Sequence, residues 1–176
     1  MRFDSPRAMC GHWLVRTTLT SPMKAQVDPY AGYRQFYVSS DPDRGEEGED
    51  TFWTEAAFRD RLAVGSCTIA IRTDTYGQVP VDLEVLDGPS SLSFDGWDHV
   101  VDAGIDVSSG RLVVAGCPDP EPLLTLEVEP GSYVVRVFSR GLTPDADDGG
   151  DYNGDEYLLQ FWPGIVKERT VLKRFA

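Results

Sequence analysis

Residues 124–139 read LTLEVEPGSYVVRVFS. Leu124, Leu126 and Val128 alternate with polar residues, and Tyr133, Val135 and Val137 fall on one side of the run that follows. A period of two in β-branched and aromatic residues is the mark of a half-buried strand, and Pro130-Gly131 between the runs supplies a turn. The same signature recurs outward in both directions. Residues 33–38, 67–72, 79–85, 97–107, 111–114, 156–162 and 170–175 all read as strands, and Val79, Val81, Leu83 and Val85 share one face. Pro80 marks the start of its strand as an edge or as unpaired. Gly104 suggests a bulge, and Ser108-Ser109-Gly110 reads as a hairpin turn between 97–107 and 111–114. Eight or nine short strands at regular spacing, with no βαβ rhythm, imply a mainly β protein, an antiparallel β-sandwich of jelly-roll type. One short helix is expected over 54–62. Thr51 or Thr54 would cap it, Ala57, Phe58 and Leu62 would form its apolar face, and Gly65 would end it.

At 176 residues the chain is expected to form one domain with a real core. Residues 1–22, with Arg2, Arg7 and Arg16 and a single apolar piece at Trp13-Leu14-Val15, differ from the rest. They read as a dispensable extension before a domain spanning 23–176, the rival being an edge strand at 13–19. Cys10, Cys67 and Cys117 show no metal spacing and are odd in number, which points to a reducing, cytoplasmic setting without a disulfide framework. No apolar run approaches the ~20 residues that a membrane-spanning helix needs.

The formal net charge is −13, which disfavours direct contact with nucleic acid, because phosphate binding requires Lys and Arg. Two segments hold most of that charge. Residues 41–50, DPDRGEEGED, carry six acids, among them Glu46, Glu47, Glu49 and Asp50, against Arg44, a net −5. Residues 145–156, DADDGGDYNGDE, carry −6 through Asp145, Asp147, Asp148, Asp151, Asp155 and Glu156. Brought together by the fold, they would form one acidic face suited to fast encounter with a basic protein. Tyr152, Tyr157, Phe52 and Trp53 are the aromatic candidates to anchor it; the competing reading puts Trp53, Tyr157 and Trp162 in the core, and for Trp53 and Trp162 it is the favoured one.

Catalytic chemistry is poorly supplied. His12 and His99 are the two histidines, and His99, between Asp98 and Val100 in a strand, reads as structural or surface. No zinc-protease, nucleophile-elbow or phosphate-loop motif occurs. Asp151, Asn153 and Asp155 alternate as oxygen ligands for a hard cation would. An EF-hand would place Gly and Glu where Glu156 and Trp162 stand. The expectation is therefore a solvated acidic loop with no metal and no cofactor. The pairs Asp147/Asp148 and Asp155/Glu156 read as surface charge.

The order Tyr33-Arg34-Gln35-Phe36-Tyr37-Val38, then Trp53-Thr54-Glu55-Ala56-Ala57, then Gly65 and a β-branched strand, resembles the competence protein J family, the bacterial DNA-entry nuclease inhibitors. Leu126 to Tyr133 and Asp155-Glu156-Tyr157 extend the resemblance over roughly 30–162. It implies a small cytoplasmic protein that binds and inhibits a nuclease without being an enzyme. The long acidic segments, residues 1–22 and the basic run from Lys167 to Arg174 depart from that pattern. The alternative is a β-sandwich that binds a small ligand, with or without Ca²⁺.

Overall fold

The computed structural model describes residues 22–40, 52–118, 121–144 and 153–176. Along them run eleven strands: β1 (Met23–Val27), β2 (Gln35–Ser39), β3 (Leu62–Val64), β4 (Thr68–Arg72), β5 (Val81–Val85), β6 (His99–Val107), β7 (Arg111–Ala115), β8 (Pro122–Glu127), β9 (Gly131–Arg140), β10 (Glu156–Pro163) and β11 (Thr170–Lys173). They form a six-stranded sheet, β1-β5-β10-β9-β6-β11, and a five-stranded sheet, β3-β4-β2-β7-β8. The chain is thus the expected mainly β sandwich. All pairings are antiparallel except β5 with β10, where Tyr157 lies beside Val81 and Phe161 beside Val85.

The core lies between the two sheets. Val81 and Leu83, Val101 to Val107 at alternate positions, Tyr133, Val135 and Val137, and Tyr157, Leu159 and Phe161 point in from the larger sheet. Phe36, Val38, Ile69, Ile71, Leu112 and Val114 meet them from the smaller one. The period-two alternation therefore does what it implies: one-face burial fixes the register, since a slip of one residue would turn each apolar set to solvent.

Both outer faces are also partly covered. The helix α1 (Glu55–Arg59) is one turn and a half, shorter than 54–62, because the chain turns at Arg61 (φ 59°) to pair Leu62 as the first residue of β3. Thr54 caps it, its Oγ1 accepting from Ala57 N at 3.1 Å. Ala57 packs with Phe52, Ala63 and Ala70 on the outside of the smaller sheet. Across the molecule, Phe94 and Trp97 cover Val100, Phe138 and Leu158 on the outside of the larger sheet.

Three local expectations are corrected. The Ser108-Ser109-Gly110 turn does not close a hairpin: β6 pairs with β9 and β11, whereas β7 pairs with β2 and β8, so the turn carries the chain from one sheet to the other. Pro130-Gly131 crosses back in the same way between β8 and β9. Gly104 sits in unbroken register opposite Val134, with no bulge; it is glycine because a Cβ there would collide with the Val166 carbonyl. β5 is flanked on both sides by β1 and β10 and is not an edge; Pro80 instead lies just before its first paired residue, Val81. The strands β1 and β3 are not legible as strands: β1 is short and half polar, and β3 is three apolar residues whose first, Leu62, reads as the end of the helix. The division at residue 22 and the rival strand at 13–19 fall largely outside the described residues.

Candidate functional site

The hairpin of β9 and β10 carries the second acidic segment between its strands, and the described residues on either side of it are tied down. Asp155, one residue before β10, is fully buried. Its Oδ2 accepts from the backbone N–H groups of Asp74 (2.9 Å) and Thr75 (3.3 Å) and from the Tyr157 hydroxyl (2.6 Å), and its Oδ1 accepts from Thr75 Oγ1. Asn153 adds two bonds to the same turn, N to Thr75 Oγ1 at 2.8 Å and Nδ2 to the Asp74 carbonyl at 3.0 Å. On the other stem, Thr143 N donates to Asp74 Oδ2 at 2.9 Å, and Asp74 Oδ1 is paired with buried Arg61. Gly141 and Gly154 pass so close that a Cβ on Gly141 would strike the Gly154 carbonyl, and Gly141 also has φ +71°. Residues 143 and 153 are therefore held in place by one turn, residues 73–75, that follows β4.

Burial foremost, and the neighbouring Asp155 carboxylate with it, push the Tyr157 phenol well above its ordinary range. The hydroxyl therefore remains protonated and donates. Its ring packs edge-on against Phe36 at 5.7 Å in the core.

The same turn continues into Tyr76, which meets Tyr30 and Tyr33 edge-to-face at 6.3 and 6.2 Å. Tyr33 is 70% exposed and Tyr30 48% exposed. Tyr33 and Arg34 both have left-handed backbone, φ 52° and 58°, a conformation that costs a non-glycine residue on the order of 1–2 kcal/mol. Two such residues in succession before β2 turn the Tyr33 ring outward. Strain of this kind collects where a surface is built for use.

Several expected site residues land elsewhere. Asp155 is not a partner-facing carboxylate but a buried acceptor, taking three hydrogen bonds from the turn at 73–75 and a fourth from the Tyr157 hydroxyl. With its oxygens so committed, it is also no longer a free ligand for a cation. Glu156 pairs with Arg140 across the β9–β10 ladder. Asp145, Asp147, Asp148, Asp151 and Tyr152, and Glu46, Glu47, Glu49 and Asp50, lie outside the described residues. Tyr157, Phe52 and Trp162 are buried, and Trp53 is half-buried beside Phe58. Among the described residues the exposed rings are Tyr30, Tyr33 and Phe58; the sequence placed Tyr33 at the start of a strand and Phe58 on the helix's apolar face, and gave Tyr30 no role.

His99 is structural. Phe175 N–H donates to Nδ1 at 3.3 Å, so Nε2 carries the proton and donates to the Asp60 carbonyl at 3.0 Å. The Asp60 carboxylate in turn receives Arg169 (3.0 Å) and Arg174 (2.9 Å) from the basic C-terminal run.

Fold and site together define a class: a two-sheet sandwich whose longest hairpin holds an acidic segment, pinned by a buried aspartate beside exposed tyrosines. Two solved structures share the fold. One is ComJ from Bacillus subtilis, an inhibitor of the DNA degrading activity of NucA, matched over 82% of this chain and 96% of its own with a TM-score of 0.56 and 14% identity. The other is the crocagin biosynthetic gene J protein, matched over 82% of this chain and 99% of its own with a TM-score of 0.55 and 15% identity. No protein-family model and no curated protein sequence matches the chain.

Proposed function

We propose that this chain is a non-enzymatic protein-binding module that docks on a basic protein, and that its partner is a nuclease it inhibits. The supporting observation is the fold shared with ComJ, itself a nuclease inhibitor. The site adds a physical reason. Four carboxylates, Asp145, Asp147, Asp148 and Asp151, lie in sequence between two stems that the Asp74–Asp155 knot fixes beside Tyr30 and Tyr33. Acidic charge steers a basic partner inward, and tyrosines supply contact area at low entropic cost. A phosphate-binding surface is basic by necessity, so an acidic inhibitor that covers it competes with DNA for the same charges. In this reading the protein needs no cofactor or metal and works in the cytoplasm.

The test is capture of partners from the native host on the immobilised full chain, followed by a DNA-degradation assay with what is recovered. The expected result is a basic nuclease whose activity falls at least tenfold when the chain is in excess. Recovery of no nuclease, or of one whose activity is unchanged by the chain, overturns the reading.

A further inference from the structure

On one side of the sandwich, β1 and β8 are the edge strands of the two sheets among the described residues. At one end of that side lies a cleft of about 200 Å³. Half-buried Met23, Val85 and Val128 and buried Tyr133 form its apolar walls, and the Tyr133 hydroxyl is turned away to the Glu129 carbonyl at 2.8 Å. Exposed Asp87, Glu127 and Glu129 stand around it, and no Lys or Arg lines it. Arg111 faces Glu127 in the β7–β8 ladder but does not bridge it, and none of the three carboxylates joins a salt bridge among the described residues.

We propose that this cleft is the socket for one large apolar side chain of a basic protein partner, with Lys or Arg on either side of that side chain meeting Asp87, Glu127 and Glu129. The cleft is smaller than the ~300 Å³ at which sites for small-molecule ligands begin, and fits a single anchoring side chain in an interface. The rim decides what flanks it: three unneutralised carboxylates repel an acidic peptide or a phosphate and attract a cationic one. A second copy is a poor occupant, because it brings the same rim and a formal net charge of −13. This assignment rests on the proposed basic partner and adds to it a docking point other than the tyrosines, at the opposite end of β1 from Tyr30.

The probe is the capped tripeptide Lys-Trp-Lys, with Lys-Gly-Lys and Glu-Trp-Glu as controls, titrated into the full chain and followed by amide chemical shifts. The expected result is saturable shifts at Leu86, Asp87, Val128 and Glu129 with Lys-Trp-Lys alone. The triple variant Asp87→Asn/Glu127→Gln/Glu129→Gln should weaken binding at least fivefold, and Val128→Trp, which fills the socket, should abolish it in a chain whose remaining shifts are unchanged. Shifts centred elsewhere, or equal binding of all three peptides, overturn the proposal. So does a dimer that the triple variant dissolves, which would make a second copy the occupant. The peptide arm reads the cleft even if no nuclease is ever captured. A captured nuclease whose affinity is the same for both variants as for the native chain would overturn the cleft while leaving the proposed function intact.

Discussion

A carboxylate that accepts four hydrogen bonds has no lone pair to spare for water or a partner, and Asp155 is in that position. Two of its donors are backbone N–H groups of a turn that no ladder satisfies, so its removal leaves buried donors without acceptors. Asp155→Ala should cost about 2–4 kcal/mol of folding stability by urea denaturation, above the ~1–3 kcal/mol of a single unsatisfied buried group because several donors lose their acceptor at once. Asp155→Asn should recover only part of this, because its amide NH₂ faces N–H and O–H donors. A surface role would predict changes below about 0.5 kcal/mol for both variants, so an unshifted midpoint would refute the knot. Nothing in the local sequence marks Asp155 off from Asp147 or Asp151. What separates them is Thr73-Asp74-Thr75, some 80 positions earlier, and a contact at that range is invisible to local pattern.

Elements were legible where their own period carried the information. The alternation in β5 and β9 named the buried face correctly, because each strand buries one face against the other sheet. What the period does not carry is the strand's partner: β6, β7, β8 and β9 follow one another in the chain, yet β6 and β9 pair in the larger sheet while β7 and β8 pair in the smaller one. The C-terminal element shows the same limit. Lys167 to Arg174 reads as a basic tail, but β11 pairs with β6, and Arg169 and Arg174 converge on Asp60, whose neighbour in space is His99. Burial holds the His99 imidazole below its ordinary pKa, with Arg61 and Arg174 adding to the effect against the Asp60 carbonyl and carboxylate. The unfolded chain takes up this proton near pH 6.5 and the folded one resists it. Stability from this site is therefore complete above about pH 6.5 and declines as pH falls through the folded-state pKa below that. Protonation at Nδ1 would also break the bond from Phe175, so the end of β11 should loosen first. Urea midpoints at pH 7.5 and 6.0 should fall in the native chain and change less in His99→Gln. Equal slopes in the two proteins would remove His99 from the account.

On the scale of the whole molecule the question is whether the two acidic segments act as one. The first leaves the smaller sheet after Ser40, whose neighbour Ser39 pairs with Thr68 at one end of β4. The second is held by Asp74, just past Arg72 at the other end. Thr68 and Arg72 are four residues apart in a strand, so these attachments are separated by roughly 13 Å at 3.3 Å per residue. That exceeds the ~10 Å over which 0.1 M salt screens an exposed charge. The segment whose stems are fixed beside Tyr30 and Tyr33 should dominate encounter with a basic partner. Reversing Asp145, Asp147, Asp148 and Asp151 to Lys adds two charges at each position and moves the formal net charge from −13 to −5. Asp155 is left alone, since its loss would unfold the knot. Against the captured partner the association rate should fall at least tenfold at 20 mM salt, within the range that electrostatic steering supplies, and its dependence on salt should flatten. Reversing Asp41, Asp43, Glu46 and Glu47 makes the same change of net charge and should slow association far less. If the two variants slow it equally, net charge and not the position of the second segment governs encounter, and the placement of the docking face beside the tyrosines fails.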